Sequence, residues 1–181
     1  MVFRKGAKRL GWRCFYKGAQ VLSNTEKRIV NIRDNFEVVN VPTHPKALKL
    51  LAFWNEHAAN GIVVGRDIPS RPIADLLSSI SIDEPIDDGN DYRVRLAGSS
   101  MSCRFGRDIT GMRMSELFPP DEFQKHLATR RATIEGGKPI IFSAHLTEGV
   151  VEHLHLEAIH LPVLAPDGFT KWVLIGVFYF S

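Results

Sequence analysis

The nine residues "WVLIGVFYF" at 172–180 constrain the fold more than any other stretch of the chain. They are apolar at odd and even positions alike. A strand with one wet face alternates apolar and polar residues, so this run reads as a strand covered on both faces. It is too short to cross a bilayer as a helix, and no apolar run reaches the roughly 18 residues that such a helix needs. A doubly buried strand lies inside a sheet, with neighbours on either side and a layer over each face.

The rest of the sequence supplies those parts. "PKALKLLAFWNEHAAN" at 45–60 reads as a helix. Pro45 suits its first position, and Asn60-Gly61 supplies a left-handed stop. Ala47, Leu50, Leu51, Trp54 and Ala58 form its apolar face. Trp54 is expected to lie over the last strand near Val173–Phe178. "LLSSISIDEPI" at 76–86 and "YRVRLAGS" at 92–99 read as strands joined by the turn "DDGND". In the second, Tyr92, Val94 and Leu96 are expected on one side and Arg93 and Arg95 on the other. Short helical turns fill 99–118. A longer helix over 119–137 opens on prolines, carries Asp121 and Glu122 in its first turn and stops at Gly136-Gly137. Phe123, Leu127 and Ile134 make its apolar stripe. Strands at about 138–147, 151–163 and 170–180 close the chain. Two strands, helices, then three strands describe an α+β domain built on one antiparallel sheet.

Charge is divided unevenly. Residues 1–33 hold nine Lys/Arg and one acid, a net +8, whereas the remainder holds 14 basic and 19 acidic residues, a net −5. The sequence therefore divides into a basic extension, 1–33, and a domain, 34–181. The extension has no apolar core of a secretory leader. Its basic residues and scattered aromatics suit an anionic membrane surface better than a specific nucleic acid. Two cysteines, Cys14 and Cys103, set up no disulfide framework, and a cytoplasmic location with peripheral membrane attachment is the expectation.

The stretch "RLAGSSMSCRFGRDITG" at 95–111, with the order of elements around it, resembles the PAS sensor domains. It is most similar to a bacterial single-domain PAS family. Trp54, Pro69-Ser70-Arg71, Leu76-Leu77, Arg95-Leu96, Gly98 and the run Phe105-Gly106-Arg107-Asp108-Ile109-Thr110-Gly111 carry the resemblance, with Ser99 in place of the usual Thr. The resemblance implies a five-stranded antiparallel sheet in the order 2-1-5-4-3, with helices on one face and an N-terminal helix on the other. It also implies that residues 99–118 roof a pocket. Gly98 then ends the second strand, Gly106 and Gly111 permit tight backbone, and Asp108 accepts local N–H groups. Phe105, Met114, Leu117, Phe123, His126 and Leu127 are expected to line the pocket.

Three patterns suggest other chemistry. His153, His155 and Glu157 in "HLHLE" alternate along a strand and can share a metal, as in a metal-dependent enzyme. His126 occupies the helix on which haem-binding PAS domains carry their axial ligand. A lone His at the edge of an apolar stripe is the pattern of a boundary residue, and haem is not expected. "SCRF" at 102–105 resembles part of the flavin-domain cysteine motif. It precedes the Thr-Gly turn instead of following it, and flavin is not expected either. No P-loop, dinucleotide fingerprint or nucleophile motif is present. The expectation is a non-catalytic sensory or regulatory protein that acts through a small molecule, a signalling partner or a homodimer. The alternatives are the metal enzyme and a purely structural interaction module.

Overall fold

The computed structural model describes residues 35–148 and 152–180; the basic extension and its expected membrane role lie outside them. Six strands and four α-helices are described: β1 (Asn35–Val39), α1 (Pro45–His57), β2 (Ile80–Ile86), β3 (Asp91–Ala97), α2 (Ser99–Arg104), α3 (Met114–Leu117), α4 (Pro120–Gly136), β4 (Ile140–Glu148), β5 (Glu152–Leu164) and β6 (Lys171–Tyr179). They form one antiparallel sheet in the order β1-β4-β5-β6-β2-β3. The last five of these strands keep the expected succession. The strand count of five is corrected to six, because "NFEVV" adds β1 beside β4 at the sheet edge.

The last strand lies between β5 and β2. Trp172 to Ile175 and Phe178 are buried. Leu50, Ile80, Ile159, Leu174 and Phe178 belong to the core cluster that α1 covers. Tyr92, Met114, Leu127, Val173 and Ile175 form a second cluster beneath α3 and α4. Gly176 interrupts the apolar run for a steric reason: a β-carbon there would lie 2.7 Å from Leu50 Cδ2. The glycine lets α1 approach the middle of the sheet.

Several local expectations change. On α1 the buried residues are Ala47, Leu50 and Phe53, while Ala58 is exposed beyond the helix end. Trp54 is half-buried and donates its indole N–H to Pro162 O at 2.8 Å, so it sits on β5; Leu50 is the residue pressed against β6. Residues 76–79 are not strand but the end of a 3-10 segment, Arg71–Ser79, which buries Ile73 and Leu76. The β2–β3 hairpin forms as expected. A register shift after Ile82 pairs Ile82 with Leu96 and Asp83 with Val94, leaving Arg95 as the extra residue. Such a bulge reverses the alternation. Leu96 consequently packs with the α1 cluster and Tyr92 with the α4 cluster, not on one shared side. The long helix ends where its glycines indicated, with Gly137 left-handed at φ 59°.

Candidate functional site

Helix α4 does not lie flat on the sheet along its whole length. Between its first three turns, α2, and the β4–β5–β6 face is a cavity of about 290 Å³. The sheet contributes Phe142 from β4, Leu156, Ala158 and His160 from β5, and Ile175 and Val177 from β6. Strand alternation places these on the face opposite α1. Small Ala158, opposite Phe142 and Val177, leaves the space open. The roof consists of Met101, Arg104 and Phe105, then Phe118, then Glu122, Lys125, His126, Thr129 and Arg130 along α4. Positions 122, 126, 129 and 130 recur at helical spacing and so share one face.

The aromatic rings set the cavity walls. Phe105 meets Phe118 edge-on at 5.7 Å, and Phe118 lies 4.1 Å from the His126 ring. Phe142 meets His160 edge-on at 5.7 Å. From β1, Phe36 reaches Phe142 at 6.3 Å and borders the cavity.

A buried ion pair forms the inner polar wall. Arg130 donates from Nε to Asp83 Oδ2 at 2.8 Å and from Nη1 to His126 O at 3.2 Å, and its Nη2 lies 2.7 Å from the same carboxylate oxygen. Asp83 Oδ1 has no hydrogen-bond partner among the described residues. Burial outweighs the nearby guanidinium and raises the Asp83 carboxyl above its usual range. His126 is pushed down to about 3, first by burial and then by the charges of Arg130, Arg104 and Lys125. Burial, then Arg130 and His126, holds His160 well below the ordinary imidazole value. Both rings are therefore neutral near pH 7.

Of the six residues expected to line a pocket, Phe105 and His126 border this one. Met114 and Leu127 lie instead in the α4 core cluster, with Phe123 packed against it. Leu117 is half-buried on α3 and does not border the cavity. The sheet residues, Phe36 and Arg130 were missed.

The PAS domain family model matches residues 42–178, a span that holds every wall residue of the cavity except Phe36. The chain belongs to the PAS domain family. No curated protein and no solved structure matches it. As a PAS domain it has a sensory or regulatory role, the general role of the family.

The residues that carry the PAS resemblance are mostly structural. Gly98 follows β3, and a β-carbon there would lie 2.2 Å from Leu77 O and 2.4 Å from Ser78 O. No side chain fits, so glycine brings α2 against the 3-10 segment. Asp108 Oδ1 accepts the Thr110 N–H at 2.9 Å, the local turn role expected of it. Gly106 and Gly111 bracket this turn at φ 65° and 85°. Arg95 reaches Glu84 at 3.4 Å and lies 5.8 Å over the Trp172 ring. Arg71 is exposed at the start of its 3-10 segment.

The "HLHLE" residues serve other ends in this PAS domain. Glu157 is buried, and its carboxylate accepts Thr43 N, Thr43 Oγ1 and His44 N at 2.7–3.0 Å. Burial opposes its ionisation, but these donors outweigh burial and hold the carboxyl below its usual range. Glu157 thus ties the entry of α1 to β5. His155 stacks between Phe180 at 3.9 Å and His145 at 4.2 Å. The His153 side chain lies outside the described residues. Among those described, no group of three or more His, Cys, Asp or Glu side chains is arranged to hold a metal.

Proposed function

We propose that this PAS domain is a non-catalytic regulator that binds a small molecule in the α4 cavity and passes its occupancy to a signalling partner. The observation that carries the reading is the aromatic-walled space between α4 and the sheet. At about 290 Å³ it lies near the lower end of the range for small-molecule sites. That size favours a ligand smaller than haem or flavin. Output by contact has a candidate surface at β1, where Val38 is 70% exposed on the edge strand and Val41, just beyond its end, is 63% exposed. An edge strand of this kind can pair with a partner or with a second copy. The basic extension at 1–33 is the candidate for attachment to an anionic membrane.

The reading is tested by native mass spectrometry of the full chain and of Ala158→Trp, which fills the cavity from its floor. The expected result is a small-molecule adduct on the wild type, acquired in the cell or from a fragment mixture, that the variant lacks. Adducts equal in both proteins, or none in either, would refute it.

A further inference from the structure

Resting on that reading, the cavity also carries a selection by ligand charge. Arg104, Lys125, Arg130, His126 and His160 border it against a single acid, Glu122. Taken by residue type, that set suits an anion. The arrangement of the side chains favours the opposite.

Arg130 is the buried cation on the wall, and its guanidinium is already ion-paired with Asp83, to which Nε donates, while Nη1 donates to the His126 carbonyl. Its charge is compensated before any ligand arrives. Arg104 and Lys125 are exposed at the rim, beside Glu122, where water and salt screen them. The two imidazoles are neutral inside the cavity. What the interior lacks is hydrogen-bond partners. Neither the His126 ring nor the His160 ring makes a hydrogen bond among the described residues, and Nδ1 of His160 is buried without one. A neutral imidazole offers one donor and one acceptor. A buried group left unpaired weakens the fold until something satisfies it.

We propose that the cavity takes a small uncharged molecule with an aromatic or compact aliphatic body and one hydroxyl or carbonyl group. The polar group hydrogen-bonds the His160 or His126 imidazole, and the body packs among Phe105, Phe118 and Phe142. A carboxylate entering the same space leaves its hydration for an interior whose one buried cation, Arg130, is already paired, while Arg104 and Lys125 stay at the solvated rim.

Three probes of one shape separate the outcomes: 2-phenylethanol, phenylacetate and ethylbenzene, titrated into the full chain near pH 7.5 and followed by amide NMR shifts. The alcohol is expected to bind roughly tenfold more tightly than either of the others, the scale of one well-made hydrogen bond. His160→Leu and His126→Leu identify the ring engaged. In that variant the alcohol loses its advantage while ethylbenzene still binds. Phenylacetate binding as tightly as the alcohol overturns the charge selection and leaves the sensory cavity standing. Alcohol and ethylbenzene binding equally to the wild type overturns the imidazole contact. If none of the three shifts resonances of α4 and β5, both the selection and the cavity reading fail. The decisive comparisons use the wild type and do not depend on either variant folding.

Discussion

Replacing Arg130 with methionine keeps an unbranched side chain of similar reach and removes its charge. The partner left behind is Asp83, whose side chain is 2% exposed against 7% for Arg130. Two guanidinium nitrogens lie 2.7–2.8 Å from one carboxylate oxygen, and the other oxygen has no hydrogen-bond partner among the described residues. At about 4 Å between charge centres and an effective dielectric of about 20, the attraction lost is about 4 kcal/mol. Removing one partner of a buried pair costs about 3–5 kcal/mol. Asp83 is already raised by burial, with Arg130 opposing that rise. Without Arg130 it rises further. A carboxyl raised by folding holds a proton that the unfolded chain releases above about pH 3.9. Stability therefore falls as pH climbs from that value through the folded pKa, and the deficit persists above it. Arg130→Met should thus lose more stability, relative to wild type, at pH 8 than at pH 4. Urea unfolding followed by tryptophan fluorescence and circular dichroism measures both. Adding Asp83→Leu should recover at least half the loss, because two apolar side chains can replace a buried pair. A loss under about 1 kcal/mol at pH 8, or an equal loss at both pH values, would refute the reasoning.

Gly98→Ala should destabilise the domain by about 3 kcal/mol or more, because its β-carbon would overlap two backbone carbonyls; an unchanged thermal midpoint would count against that packing. His126 is depressed to about 3, so the wild type should lose stability as pH falls below about 6.5 toward that value. His126→Phe should flatten this acid limb, and an identical pH profile would show that the ring is not buried. A chain truncated to begin at Asp34 should keep its unfolding midpoint but lose binding to anionic vesicles, binding that weakens with added salt in the full chain. Vesicle binding that survives the truncation would place the membrane contact in the domain.

The doubly apolar run at 172–180 was enough to place β6 inside the sheet, because no other position satisfies both of its faces. The ends of α4 were equally legible, since proline and left-handed glycine act through local backbone geometry. The cavity was less so. Its floor comes from strands whose alternation is blurred by burial on both faces, as in "LEAIHL" of β5. Nothing local says whether Ala158 and His160 or Glu157 and Ile159 face α4. The Asp83–Arg130 pair joins residues 47 apart in sequence, and each reads alone as an exposed charge. The bulge at Arg95 reverses a pattern that the sequence leaves intact. "NFEVVNV" did carry β-branched residues bounded by asparagines, a signal for the strand that β1 proves to be.

Strand β1 pairs with the sheet through β4, over five residues, and lies outside the span matched to the PAS family. Its Phe36 nevertheless completes the cavity wall. The site is therefore finished by a segment that follows directly on the basic extension. Under the proposed small-molecule reading, binding and pairing are linked quantities. A ligand that rests on Phe36 favours the docked strand, and anything that favours the docked strand tightens the ligand by the same factor. A surface or partner that draws β1 away loosens the ligand equally. The same reciprocity makes the cavity a reporter of what holds the N-terminal side of the domain, as much as a sensor that instructs it.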